Sequence, residues 1–129
     1  MTFLLLLLTL IESGMLKKKI NVDLMKKGAK KFIGTHDFST FRASNCAAKS
    51  PVRTMKKVKI TKVKNVIKIQ FVSKSFLKSQ VRSMVGSLKY LGENKWSLKK
   101  FTSIFKSKSR KNCAPIAPAH GLYLEKIIY

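Results

Sequence analysis

The amino-acid sequence predicts an α+β fold in which helices cover one face of an antiparallel sheet. Apolar residues have helical spacing over 21–33 and 76–91, whereas they alternate with lysine over 54–71. The predicted elements follow the order helix, strand, strand, helix, helix, strand, which favours segregated helices and strands. With 45% hydrophobic residues in a chain of 129, one domain can bury a core. We therefore predict a single α+β domain over residues 21–129.

Residues 1–20 form an apolar leader before this domain. Every residue from Phe3 to Ile11 is apolar except Thr9, yet a membrane-spanning helix needs about 20 apolar residues. A signal peptide would have a basic start and a small-residue cleavage site, and both are missing. We predict a short helix or a stray translated leader, without stable membrane insertion.

The first element of the domain is an amphipathic helix that begins after Asn21. Asn21 is a suitable N-cap, and Asp23 lies in the first turn. The predicted buried face comprises Val22, Met25, Ala29, Phe32 and Ile33, and the helix is predicted to end at Gly34. Turn-forming residues from Gly34 to Pro51 predict a structured loop, a kind of segment that often carries function.

The segment after this loop has the period of a β-hairpin. Val58 and Ile60 alternate with lysines, and a turn is predicted at 64–65. The second strand alternates Ile67, Ile69 and Phe71 with Lys68 and Gln70. We predict an antiparallel pair with one buried face and one basic face.

The segment FLKSQVRSMVGSL, residues 76–88, predicts a helix with Ser75 as its cap. Its apolar stripe comprises Phe76, Leu77, Val81, Met84, Val85, Leu88 and Leu91. The opposite face carries Lys78, Arg82 and Lys89, and a strip of small residues, Ser79, Ser83 and Gly86, separates the two faces. Two interpretations remain open: the basic face is simply solvated, or Arg82 points into a cleft for an anionic substrate.

Two more elements complete the predicted fold. A short helix is predicted to start at Ser97 and to extend through Phe105, with Trp96 and Phe101 at the spacing of a hydrophobic staple. The C-terminal segment LYLEKIIY predicts a final strand.

The charge of the chain predicts a polyanionic partner. Lys and Arg number 28 against 5 Asp and Glu, which gives a formal net charge of +23. Self-repulsion of that size disfavours a compact chain without a partner. Nucleic acid is the first candidate and an anionic membrane surface the second. The basic strand face, with Lys57, Lys59, Lys62, Lys68 and Lys74 near it, is suited to an RNA backbone, although any one of these lysines needs no function.

The cysteines and histidines do not have the spacing of a metal site. Cys46 and Cys113 are far apart, and neither His36 nor His120 forms a ligand pattern with them, so we predict no metal. We interpret the cysteines as free thiols in a reducing compartment. A nucleophilic pair of Cys113 and His120 is supported only by their nearness in sequence.

Four segments of the chain carry a family resemblance: VDLMKKGAKKFIGTHDFSTFRA, KSPVRT, FLKSQVRSMVGSLKYLG and APAHGLYL. Together, over about 21–129, they resemble the tRNA pseudouridine synthases of the A type. The segments occur in the family's order and near its spacing. The resemblance implies a cytoplasmic, cofactor-free isomerase that binds tRNA, flips out a uridine and reattaches its base through carbon. It implies that 21–129 is the C-terminal, RNA-binding half of that fold.

The resemblance also implies site residues. Arg82 in QVRSMVG occupies the place of the family's pocket arginine, and Leu122 in HGLYL occupies the place of its pocket leucine. Among the basic residues of the matched segments, we predict that Lys49, Arg53, Lys78 and Lys89 bind RNA.

The family's catalytic aspartate has no counterpart here. The chain contains two aspartates, Asp23 and Asp37, and neither lies in a segment like the family's GRTDxGVHA. We expect Asp37, in GTHDF, to have a structural hydrogen-bonding role. The family's stacking tyrosine, from its N-terminal half, is also missing, and we expect a shortened reading frame.

Three functional hypotheses follow. The chain is a C-terminal half that is active only if a partner, an N-terminal-half chain, supplies the aspartate; a homodimer is a second possible assembly. Alternatively, it is a non-enzymatic RNA-binding remnant, or a basic protein that its leader holds at a membrane.

Overall fold

The computed structural model of the chain describes residues 4–11, 20–43, 49–63, 66–77, 80–115 and 122–128. The strands are β1 Leu4–Ile11, β2 Gly34–Asp37, β3 Val52–Val63, β4 Val66–Ser73 and β5 Leu122–Ile128. The helices are α1 Val22–Phe32, α2 Gln80–Gly92 and α3 Leu98–Ser107, with 3-10 turns at Ser39–Phe41 and Arg110–Asn112. No helix in these ranges is long and apolar enough to cross a bilayer.

The strands form one antiparallel sheet in the order β2-β3-β4-β1-β5. This confirms the predicted α+β fold with an antiparallel sheet. The prediction of a short helix at 4–11 is wrong, because these residues form β1 between β4 and β5. β1 pairs with β4 along its whole length, with Leu4 opposite Ser73 and Ile11 opposite Val66. On its other side it pairs with β5, with Leu4 opposite Ile128 and Leu10 opposite Leu122. A short unbroken apolar run has no period that distinguishes a central strand from a buried helix.

The hairpin of β3 and β4 confirms the prediction of one buried and one basic face. Buried residues at alternate positions are Val58, Ile60, Ile67, Ile69 and Phe71, whereas Lys57, Lys59, Thr61 and Lys68 are exposed. A β-bulge between Met55 and Lys57 shifts the register. Because the bulge adds a residue, both Met55 and Val58 face the core. The first part of the predicted loop is also ordered, since β2 pairs with β3 from Gly34 opposite Met55.

Helix α1 begins as predicted and ends slightly earlier. The Asn21 side chain accepts a hydrogen bond from the Leu24 backbone N–H at 3.0 Å, which confirms the N-cap. Met25, Ala29 and Phe32 are buried. Ile33 is 43% exposed, contrary to the prediction, because it is the extended C-cap and has left the helical period. Gly34 follows at φ +104, a conformation that favours glycine.

The described part of helix α2 begins at Gln80, and the predicted Ser75 cap is wrong, because Phe76 and Leu77 after it are not helical. The Gln80 side-chain oxygen accepts a hydrogen bond from the Leu77 N–H at 2.8 Å, as in half of a capping box. The carbonyl of Ser75 instead accepts the Ser73 hydroxyl at 3.0 Å. The predicted apolar stripe is confirmed in its helical part, where Val81, Met84, Val85, Leu88 and Leu91 are buried.

An aromatic cluster joins α1 to α3. Phe32 lies at its centre, with ring centroids 5.3–5.4 Å from Phe41, Phe101 and Phe105. The helix start predicted at Ser97 is confirmed, because the Ser97 hydroxyl accepts the Lys100 N–H at 3.1 Å. These contacts pack the helices as a layer over one face of the sheet.

Candidate nucleic-acid interface

The exposed face of the hairpin is a basic surface on which lysines alternate with the buried residues of the two strands. Lys59 lies opposite Gln70 and Thr61 opposite Lys68, and these four side chains line a shallow depression of about 300 Å³. Ammonium, amide and hydroxyl groups are suited to phosphate oxygens, and no carboxylate is among these four residues. Lys62 lies opposite the buried Ile67, so it belongs to the other face, since directly paired residues share a face.

Arg82 lies on the exposed side of α2, opposite the buried stripe. Among the described residues, its guanidinium has no hydrogen-bond or ion-pair partner. Lys89, two turns later, is half-buried, and Lys78 lies outside the described residues. Exposure leaves the Arg82 side chain available to a ligand, so its role in a pocket stays a prediction.

Leu122 is the first residue of β5, and its backbone pairs with Leu10 of β1. The segment that contains it therefore enters the sheet through β1, which sequence analysis placed outside the domain. That Leu122 and Arg82 line one pocket stays a prediction.

The side chain of Arg53 is hydrogen-bonded to backbone carbonyls close to it in the chain. Its Nη1 donates hydrogen bonds to the carbonyls of Ser50 at 2.9 Å and Val52 at 2.8 Å. Its Nε is buried and has no partner in the described part of the chain. Arg53 thus stabilises the backbone at the start of β3. Lys49 is exposed. The contacts of both residues with RNA stay predictions.

Asp37 has the structural role that the sequence predicts. Its Oδ1 accepts hydrogen bonds from the Ser39 N–H at 2.9 Å and the Ser39 hydroxyl at 2.5 Å, which anchor the 3-10 turn after β2. Burial raises the pKa of this carboxyl, but the Ser39 hydrogen bonds and the charges of Lys108 and Arg42 outweigh burial and leave its pKa below the ordinary value. An ionised carboxylate engaged in this way is poorly placed to act as a nucleophile.

Cys113 belongs to a polar cluster that sequence analysis did not predict. Ser83 and Ser87, one turn apart on α2, are buried. The Ser83 hydroxyl accepts a hydrogen bond from Arg110 at 2.7 Å, and Cys113 Sγ lies 3.8 Å from the Ser87 hydroxyl. Ser83 is therefore a buried contact and does not belong to a surface strip. The only available signal was the placement of serines one turn apart on an apolar helix.

The Cys113 thiol is free and half-buried. Burial raises its pKa, despite the nearby Ser87 hydroxyl and the charge of Arg110, so the reactive thiolate is disfavoured. His120 and Cys46 lie outside the described residues. His36 bonds through Nε2 to the Ile33 carbonyl at 2.8 Å and packs on Phe105. In the described ranges, no three His, Cys, Asp or Glu side chains are grouped as metal ligands.

Comparison with known proteins identifies the family. A family model described as tRNA pseudouridine synthase matches residues 29–129. A tRNA pseudouridine synthase A from Pelagibacter ubique (strain HTCC1062) is 66% identical over 112 residues, which are 87% of this chain and 46% of the relative. The tRNA pseudouridine synthase A of Paramagnetospirillum magneticum (strain ATCC 700264 / AMB-1) is 44% identical over 110 residues, 85% of this chain and 43% of the relative.

A third relative, the tRNA pseudouridine synthase A of Sinorhizobium medicae (strain WSM419), is 40% identical over 112 residues. The chain spans about half the length of the relatives it matches. A match over most of this chain, together with the four segments in order, gives one conclusion: the chain belongs to the tRNA pseudouridine synthase family.

Proposed function

We propose that this chain supplies the C-terminal half of a tRNA pseudouridine synthase. In this role residues 21–129 bind tRNA and contribute Arg82 and Leu122 to uridine isomerisation when a partner supplies the catalytic aspartate. The observation that supports this proposal is a match to 87% of the chain that covers only 46% of a relative 66% identical to it. Because tRNA is the substrate class, we expect a cytoplasmic location.

The chemistry requires a group that this chain lacks. Isomerisation breaks the bond between the sugar and a base nitrogen and forms a bond between the sugar and a base carbon. A nucleophile or base must act at the sugar while the uridine is flipped out. Asp37 is engaged by Ser39, and Asp23 is exposed in the first turn of α1. Neither lies in the motif that bears the family's aspartate.

The residues of this chain would then bind and orient the substrate. The planar fork of Arg82 donors can hold a carboxylate or a phosphate beside the flipped nucleotide. Leu122 would supply an apolar contact to the base or sugar. Lys59 and Lys68 on the sheet would hold the RNA backbone without reading its sequence.

The test is reconstitution. The purified chain is mixed with tRNA alone, and in parallel with a separately produced N-terminal half of the Pelagibacter relative that contains the aspartate motif. We expect pseudouridine only in the mixture of both halves. Turnover by this chain alone would overturn the need for a partner, and no turnover by a stable complex of the halves would overturn the enzymatic proposal.

The second candidate is a non-enzymatic RNA-binding remnant. The net charge of +23 and the exposed lysine face favour it independently of catalysis. It is supported if the chain binds tRNA but does not associate with the N-terminal half, and it is rejected if reconstituted turnover appears.

A further inference from the structure

The helical layer contains a groove that the proposed site does not use. It has a volume of about 810 Å³ and lies between the end of α1 and α3. Lys99, Thr102, Ser103 and Lys106 recur on one stripe of α3, and Lys31 of α1 borders the same groove. Helices cover one face of the sheet, so this groove lies on the other side of the molecule from the exposed hairpin lysines.

A second cavity extends this groove toward β2. Its volume is about 300 Å³, and it shares Lys31, Thr102 and Lys106 with the first while adding Asp37 and Lys108 to the lining. Lys108 is the C-cap of α3 at φ 55, a left-handed conformation that glycine usually adopts at this position. Lys108 thus adds a fourth lysine to the lining of the combined groove.

The combined groove is electropositive. Lys31, Lys99 and Lys106 make no ion pair among the described residues. Asp37 is the one carboxylate in the lining of either cavity, and hydrogen bonds from Ser39 occupy its Oδ1. Four lysines therefore face one carboxylate that is already engaged, an arrangement complementary to a chain of negative charges.

We propose that the groove between α1 and α3 binds the phosphate backbone of a second RNA segment. The proposal rests on the proposed binding of tRNA by this chain. Lys99 and Lys106 are seven residues apart in sequence and thus about 10 Å apart along the helix, so they can contact separate phosphates. Lysine is a phosphate ligand without base-reading geometry, so this groove holds RNA without selecting its sequence.

The test compares two double variants of the full chain with equal charge loss. Lys99→Gln with Lys106→Gln removes two groove charges, and Lys26→Gln with Lys111→Gln removes two exposed charges outside the groove. Affinity for tRNA is measured by filter binding between about 50 and 200 mM salt. We expect the groove variant to bind about 10-fold more weakly at the lower salt and its salt slope to fall by about 2, with less than 2-fold change in the control.

Two further measurements distinguish a loss of contacts with RNA from a loss of folding. Acetylation of lysines in the unmodified chain should be suppressed by tRNA at Lys99 and Lys106 more than at Lys26 and Lys111. Lys108→Gly should raise the melting temperature by relieving the left-handed residue, yet weaken tRNA binding by about 3-fold, as one lost phosphate contact would. A purely structural Lys108 would not change RNA affinity.

The outcomes separate this proposal from the proposed function. Steep salt dependence in the wild type with equal effects of both double variants overturns the groove but leaves RNA binding intact. Absence of salt-dependent binding in the wild type overturns both. If the groove variant keeps its tRNA affinity but loses binding to polyglutamate, the groove takes an acidic protein segment and the RNA proposal is wrong.

Discussion

Arg82 is the one arginine among the described residues without an interaction inside the protein. Arg53 donates to backbone carbonyls and Arg110 to Ser83, and Arg42 also interacts with its surroundings. A guanidinium N–H that is bound inside the protein is not available to a ligand. The donors of Arg82 make no bond to another described residue, so among the described arginines it is the one best able to meet an anionic substrate.

We predict that Arg82→Ala lowers the rate of the reconstituted enzyme by about 100-fold, the effect of losing one preorganised electrostatic contact. Its melting temperature should stay nearly unchanged, because the side chain is exposed. Single-turnover formation of pseudouridine measures the rate. Lys89→Ala and Lys78→Ala are controls from the same predicted basic face. Equal, small effects of all three substitutions would show that this face is simply solvated.

Asp37 gives a prediction for stability and pH. Because its pKa is lowered in the folded state, its stabilisation is present above the ordinary carboxyl pKa of about 3.9 and is lost as pH falls through the lower folded pKa. Asp37→Asn keeps an acceptor but removes the charge, so we expect a loss of about 0.5–1 kcal/mol at neutral pH for this partly exposed group. Urea unfolding should show that this loss shrinks as the pH falls below the ordinary carboxyl pKa. A difference that grows with acid would contradict the assignment.

At the scale of elements, β1 is an interior strand that the sequence analysis did not predict. It lies between β4 and β5 and is paired on both sides, so β5, which carries Leu122, reaches the rest of the sheet through it. The segment that lacks any match to the family motifs is therefore needed to seat a predicted pocket residue. Without β1, the edge of β4 would be exposed and would be a site for aggregation.

We predict that Leu7→Pro destabilises the chain by about 1–3 kcal/mol, the cost of a buried backbone acceptor that loses its ladder hydrogen bond. Leu7 is paired with Gln70 and Glu125, and proline cannot donate a ladder hydrogen bond in a central strand. Leu4→Pro is the matched control, because proline is tolerated at the first residue of a strand. Thermal unfolding followed by circular dichroism measures both. Indistinguishable melting of the two variants would show that residues 4–11 are not a central strand.

At the scale of the whole molecule, repulsion between the positive charges destabilises the fold, whereas burial of the apolar side chains stabilises it. A formal charge of +23 creates repulsion across the surface, and both the sheet and the helical layer present lysines. Counterions and a polyanion relieve this repulsion in different ways, since salt screens it and RNA neutralises it.

We predict that raising salt from about 20 to 500 mM increases the melting temperature of the RNA-free chain by at least about 3 °C, because self-repulsion is screened. The same salt should weaken tRNA binding at least ~10-fold, because each phosphate contact releases counterions. Scanning calorimetry with and without tRNA tests both effects. A melting temperature that falls with salt would mean that attractive ion pairs dominate the stability of the chain.

The sequence by itself determined the family, the two faces of the hairpin, the cap at Asn21, the start of α3 and the buried stripe of α2. These features follow from the spacing of apolar residues, from capping residues or from the order of motifs. Each of these signals is encoded over a few neighbouring positions. The exposure of Arg82 also followed from helical spacing, whereas its place in a pocket with Leu122 stays a prediction.

Only the tertiary structure decided the features that depend on partners distant in the chain. The apolar run at 4–11 became a central strand because β4 and β5 supply hydrogen bonds on both sides. The hydroxyl of the buried Ser83 accepts a hydrogen bond from Arg110, a residue distant in the chain. The groove at Lys31 and Lys99 required α1 and α3 to lie side by side. Local patterns determine which face of an element is apolar, whereas the contact between elements depends on the packing of the whole chain.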